Sequence, residues 1–127
     1  MQNRILLIDD DLVFHHIVKE IFHHVKTIRW FHLETDGASA LDLLSYCKIK
    51  NDFPNHIFVD LRMPGIDGHE FLYQYNLIYY PTFPETQVHI VTSSDLETDR
   101  IRAFSYPFVR YYVTKPVSEE NIQQILK

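Results

Sequence analysis

Three consecutive carboxylates, Asp9, Asp10 and Asp11, close the apolar run "ILLI" at residues 5–8. Two carboxylates about 4 Å apart repel by about 4 kcal/mol at an effective dielectric of about 20, so something cationic must offset them. A fourth carboxylate, Asp60, ends "HIFVD" at residues 56–60. A hydroxyl, Thr92, ends "QVHIVT" at residues 87–92, and an ammonium, Lys115, follows "RYYV" at residues 110–113. Clustered carboxylates with few neutral ligands suit a hard cation. Mg²⁺ takes oxygen ligands while keeping several waters, and once bound it can neutralise an incoming phosphoryl group. A lysine adds a compact positive charge for the same group, and a hydroxyl with nearby N–H groups can bond its oxygens. Asp60, alone on its strand and followed by a turn, is the candidate nucleophile, because a carboxylate can form an aspartyl phosphate.

These residues can meet only if the chain brings four distant segments together. The pattern supplies a way. Arg4 to Asp9 reads as a strand buried on both faces. Phe14, Ile17, Val18, Ile21, Phe22 and Val25 recur at helical spacing, while His15, Lys19, Glu20, His23, His24 and Lys26 fill the other side. That is an amphipathic helix, with Asp10 or Asp11 as its cap. Strands follow at residues 28–34, 56–61, 87–92 and 110–113, and helices at 35–47, 67–80 and 94–104, with a short one after Ser118. Asp67 with Glu70, and Ser94 with Glu97, have capping-box spacing. Val117 and Ile122 are placed as a hydrophobic staple around the Ser118 cap. Five strands each followed by a helix imply a doubly wound parallel sheet with helices on both faces. Such sheets bind ligands beyond the carboxyl ends of their strands, where the strand order reverses. Asp9, Asp10, Asp60, Thr92 and Lys115 all fall at such ends.

Composition narrows the function classes. The chain has 127 residues, one domain's worth, with 46% hydrophobic and 14% aromatic residues, enough for a real core. The net charge is −5 with no basic run, which argues against a nucleic-acid footprint. No apolar stretch reaches the roughly 20 residues of a membrane span, and the aspartates cut short any signal-peptide core. Cys47 is the single cysteine, a small packing residue that gives no disulfide framework or thiolate metal site. A cytoplasmic location is the expectation. His15, His16, His23 and His24 lack i,i+4 pairing and read as a solvated face.

In the order "ILLIDDD", "IFVDLRMPGIDGHEFL", "VHIVTSS" and "YYVTKP", the chain resembles the receiver domain of two-component response regulators over residues 1–127. Two of the three glycines, Gly65 and Gly68, fall in the second of these segments. The resemblance implies a flavodoxin-like sheet in the order 2-1-3-4-5, with Asp60 as phosphoacceptor. Asp10 is implied as a direct Mg²⁺ ligand, Asp9 as one acting through water, and the Arg62 backbone carbonyl as a further ligand. Thr92 is implied as the switch hydroxyl, Lys115 as the lysine of the acidic site and Tyr112 as the switch aromatic. The Lys115–Pro116 bond is implied to be cis. The phosphoryl group would come from a sensor histidine kinase or phosphotransfer protein. A downstream protein would read the face of helix 4, strand 5 and helix 5. Arg62, Ser93 and "SYPF" at residues 105–108 depart from the family's usual residues. Two other classes remain: a receiver-shaped interaction domain not regulated by phosphorylation, and a Mg²⁺-dependent aspartyl-phosphate phosphatase. The second usually places an aspartate two residues after the nucleophile, where this chain has Arg62.

Overall fold

The computed structural model describes residues 2–127. Five strands alternate with five helices: β1 (Asn3–Ile8), α1 (Leu12–His23), β2 (Ile28–Glu34), α2 (Gly37–Ile49), β3 (His56–Val59), α3 (Gly68–Ile78), β4 (Gln87–Thr92), α4 (Glu97–Phe104), β5 (Val109–Thr114) and α5 (Glu119–Ile125). All strand pairs are parallel, in the order β2-β1-β3-β4-β5. The doubly wound, flavodoxin-like fold expected from the sequence is therefore the observed one, with order reversal at β1 and β3.

The central strands explain themselves. Every residue of β3 is buried, and Ile5, Leu6, Ile8, Ile57, Val59, Val88 and Ile90 have no exposed surface. A side chain of that size contributes about 1.5–3 kcal/mol when fully buried. Alternate residues point to opposite faces, and two cores result. Leu6, Ile8, Ile57, Val59, Val88 and Ile90 pack against α2, α3 and α4, through residues such as Leu44, Phe71, Tyr75 and Ala103. Ile5, Leu7, Phe58 and Val91 pack against Phe14, Val18 and Phe22 of α1 and Ile122 and Ile125 of α5.

Caps set where the helices begin. Asp11, not Asp10, caps α1 by accepting from the N–H groups of Val13 and Phe14. Asp36 caps α2, Asp67 caps α3, and Ser118 forms a full capping box with Asn121 on α5. The Ser94 cap is corrected. Helix α4 starts at Glu97 behind Leu96 with no side-chain cap; the Ser94 hydroxyl donates to Asp99 at 2.6 Å and accepts from the Leu96 N–H at 3.3 Å, ahead of the helix. Helix α1 buries Phe14, Val18, Ile21 and Phe22 of the expected face and departs from it at two residues. His15 is buried, drawn in by a hydrogen bond to the Asp9 carbonyl, while Ile17 is half exposed.

Candidate functional site

Three backbone hydrogen bonds lock the strand ends into one platform. The Asp9 N–H donates to Glu34 O at 3.0 Å, the Asp60 N–H to Ile8 O at 3.0 Å, and the Lys115 N–H to Thr92 O at 2.8 Å. Each continues a parallel ladder one residue past its strand, so Asp9, Asp60 and Lys115 emerge at the same edge. The turn after Asp60 is held just as closely. Gly68 donates to Leu61 O at 3.1 Å, and a Cβ at Gly68 would strike the Asp60 carbonyl and lie 2.6 Å from Leu61 Cα. Only glycine lets α3 begin against the backbone that carries Asp60. Gly65 supplies the positive φ, +73°, that the same turn needs.

Carboxylate oxygens of Asp9, Asp10 and Asp60 lie within 4.8 Å of one another. Asp9 and Asp60 are buried and Asp10 is exposed. The Lys115 Nζ donates to Asp9 Oδ2 at 2.6 Å and to Asp60 Oδ2 at 3.1 Å, with its ammonium 4.3 Å from the Phe14 ring centroid. The remaining oxygens are oriented by backbone donors: Asp9 Oδ1 accepts from Asp11 N at 2.9 Å, and Asp60 Oδ1 from Arg62 N at 3.1 Å. Burial raises the pKa of Asp9, and the hydrogen bonds from Lys115 and Asp11 only partly offset it. For Lys115 burial pulls the other way. The Asp9 hydrogen bond and the charges of Asp60 and Asp9 outweigh it, so the ammonium is held above its ordinary value. Three carboxylates against one ammonium leave net negative charge in a confined space. That donor set, all hard oxygen with an exposed face at Asp10, fits a small divalent cation.

Thr92 and Tyr112 do not touch the carboxylates. Thr92 is fully buried at the end of β4, two residues past Ile90, the partner of Val59. Its Oγ1 accepts from the Ser94 N–H at 3.3 Å, and the Tyr112 hydroxyl donates to the Ser94 carbonyl at 3.0 Å. The expected hydroxyl and aromatic thus meet through Ser94. Arg100 covers the Tyr112 ring, 5.4 Å from its centroid. The Lys115–Pro116 bond is cis, as the resemblance implied.

Sequence reasoning missed the surroundings of Arg62. Its guanidinium pairs with Asp99 on α4, while its backbone N–H holds Asp60. Asp99 also accepts from the Ser94 hydroxyl, and its Oδ1 lies 2.9 Å from Nε2 of the buried His69. Hydrogen bonds from Ser94 and His69, with the charge of Arg62, keep its carboxyl below the usual aspartate range. Asp99 is one acid among the charges of "ETDR", and no local spacing marks it. It was also silent about His56 and His89, which are buried in the sheet with His56 Nδ1 2.9 Å from His89 Nε2.

With this geometry in hand, the comparisons with known proteins agree. The response regulator receiver domain family matches residues 5–127. The chain is 29% identical over 127 residues to a protein of Methanothrix harundinacea (strain 6Ac) named probable methanogenesis regulatory protein FilR2. That match covers 97% of this chain and 78% of the relative. A two-component response regulator from Cytophaga hutchinsonii superposes with a TM-score of 0.90 at 25% identity, covering 99% of this chain and 96% of that one. The Mn²⁺-bound form of response regulator Rcp1 superposes with a TM-score of 0.79 at 25% identity, covering 97% and 88%. Receiver domains bind Mg²⁺ in their acidic pocket, and the described residues include no helix long and apolar enough to cross a membrane. The strand-end pocket of Asp9, Asp10, Asp60 and Lys115 is thus found on a chain that belongs to the response regulator receiver domain family.

Proposed function

We propose that Asp60 accepts a phosphoryl group from a phosphohistidine on a sensor kinase or phosphotransfer protein, and that Mg²⁺ held by Asp10, Asp60, the Arg62 carbonyl and, through water, Asp9 is required. The observation that carries this reading is the Lys115 ammonium bridging Asp9 and Asp60 at the edge of a three-carboxylate cluster. An Asp60 carboxylate oxygen attacks phosphorus. The O–P bond forms, the P–N bond breaks, and the electron pair leaves with the donor imidazole, which takes up a proton. The metal, when bound, supplies charge neutralisation to the phosphoryl oxygens. Lys115 orients the acceptor carboxylate and adds a second positive charge. The Arg62 N–H on Oδ1 leaves the rotation of that carboxylate fixed before attack, so little reorganisation is needed.

Phosphorylation adds roughly −1.5 to −2 charges and three acceptor oxygens. Thr92 Oγ1, now bonded only by the Ser94 N–H, turns to one of them. Tyr112 then loses its anchor on the Ser94 carbonyl and rotates inward. The face of α4, β5 and α5 changes, and a downstream protein reads it. That face carries exposed Leu96, Ile101, Phe104 and Tyr111. Arg62 at the second position after Asp60, its guanidinium turned to Asp99, supplies no acid/base for rapid turnover and disfavours the phosphatase reading.

Acetyl phosphate with Mg²⁺ tests the proposal. The wild type should take up phosphoryl to a stoichiometric stop, and Asp60→Asn should take up none while keeping its fold. Full labelling of Asp60→Asn would overturn the site. Continuous turnover would favour the phosphatase, and an unlabelled wild type the unregulated interaction domain.

A further inference from the structure

Asp99 is the hub of a polar cluster that belongs to neither the carboxylate pocket nor either core. Its two oxygens receive three groups from three segments: the Arg62 guanidinium from the turn after β3, His69 from α3 and the Ser94 hydroxyl from the loop after β4. Two of those segments reach back to the site by their main chain. The Arg62 N–H holds Asp60 Oδ1 at 3.1 Å, and the Ser94 N–H holds Thr92 Oγ1 at 3.3 Å. A third link runs outward, from the Ser94 carbonyl to the Tyr112 hydroxyl. Asp99 itself sits on α4, and it is anchored to α3 through a histidine that is only 4% exposed.

We infer that Asp99 is a positioning residue that tethers Ser94, and through it Thr92 and Tyr112, in the arrangement of the unphosphorylated protein. The inference rests on the phosphoacceptor reading of Asp60. Thr92 Oγ1 touches none of the carboxylates, so for its hydroxyl to donate to a phosphoryl oxygen on Asp60, residues 92–94 must shift relative to α4. The Ser94 hydroxyl, bonded to a carboxylate at 2.6 Å, resists that shift. Hydrogen bonds to a charged group are the stronger kind, and a restraint present in one state alone biases the equilibrium by its full difference between states. Cutting the tether favours the phosphorylated arrangement, and by linkage the site then binds a phosphoryl mimic more tightly.

Two variants weaken the tether in different ways. Ser94→Ala deletes the donor and leaves Arg62, Asp99 and His69 in contact. Asp99→Asn keeps the shape and removes the charge. In protein without any mimic, both should speed hydrogen exchange at the Ser94 amide. No change in either would overturn the tether, whatever Asp60 does. With Mg²⁺ and beryllofluoride, both should bind the mimic about tenfold more tightly than wild type, a difference of about 1.4 kcal/mol. Equal affinities would overturn the restraint and leave the phosphoacceptor reading intact. A wild type that binds no beryllofluoride would overturn both. A freed Arg62 could itself attract the anion, so Asp99→Asn is also made beside Arg62→Gln. The gain should persist there, and its disappearance would overturn the inference.

Discussion

Strand β3 ends in two buried polar sites of opposite character, and the contrast shows how this fold separates chemistry from stability. At its carboxyl end Asp60 meets Asp9, Asp10 and Lys115, a cluster of full charges open to solvent on the Asp10 side. At its amino end His56 meets His89, both sealed in the sheet, with His89 tilted against Phe58, stacked on Tyr111 and its Nδ1 without a partner among the described residues. Burial strips water from both sites. At the carboxylate end an ammonium is bound to two of the acids. The histidines face no acid. Burial, with the charge of Arg4 nearby, lowers His56 to about 4, and burial, with the charges of His56 and Arg110, lowers His89 to about 3. One end therefore gathers acidic oxygens around an ammonium, and the other is neutral packing.

The largest break in this comparison comes from removing the ammonium. Lys115→Met leaves Asp9 and Asp60 buried without compensation, and loss of one partner of a buried ion pair costs about 3–5 kcal/mol. Urea unfolding in metal-free buffer should show a loss near the lower figure, since solvent reaches the site on the exposed Asp10 side. Mg²⁺ should restore part of it. Unchanged stability would mean that the carboxylates do not need Lys115.

The next effect belongs to the histidine end. Both imidazoles titrate near 6.5 when unfolded and well below that when folded. Between pH 6.5 and about 4 the unfolded chain binds protons that the folded one refuses, so stability falls as the solution is acidified. Each histidine contributes up to about 1.4 kcal/mol per pH unit in that window. A protein carrying His56→Leu with His89→Phe should unfold with a visibly shallower pH dependence between 6.5 and 4.5. Identical slopes would show that the pair does not stay neutral.

How much of this was legible follows from what each site needs. The parallel sheet and the carboxylate pocket could be read because strand ends are fixed by short apolar runs, and charges at those ends stand out against them; the strand order came only with the resemblance to receiver domains. The clash that a Cβ at Gly68 would make with the Asp60 main chain gives a physical reason for one of the glycines in "MPGIDG". The histidine pair was not legible. His56 and His89 lie in different strands, and only the register of β3 against β4, with His56 opposite Gln87 and Phe58 opposite His89, brings them together. His15 was assigned to solvent by helical spacing, yet the Asp9 carbonyl at the adjoining strand end draws it inward. Asp99 was hidden for a similar reason. Its partners come from three segments, and the Ser94 hydroxyl it captures was expected to cap α4.

The smallest expected signal sharpens the separation of the two ends. Trp30, the single tryptophan, pairs in register with Arg4 near the amino end of β1 and donates to Asp52 at 3.0 Å. Its fluorescence should hardly respond to Mg²⁺ added to the folded protein. A large quench would place the metal away from the carboxylates.

The central claim is that the charged end of β3 accepts phosphoryl at Asp60. Its most direct test is to locate the phosphoryl group by peptide mapping of wild-type protein after acetyl phosphate treatment, with and without Mg²⁺. The account predicts a single labelled peptide, containing Asp60, that appears only when Mg²⁺ is present. Label on another peptide, or equal label without the metal, would contradict it.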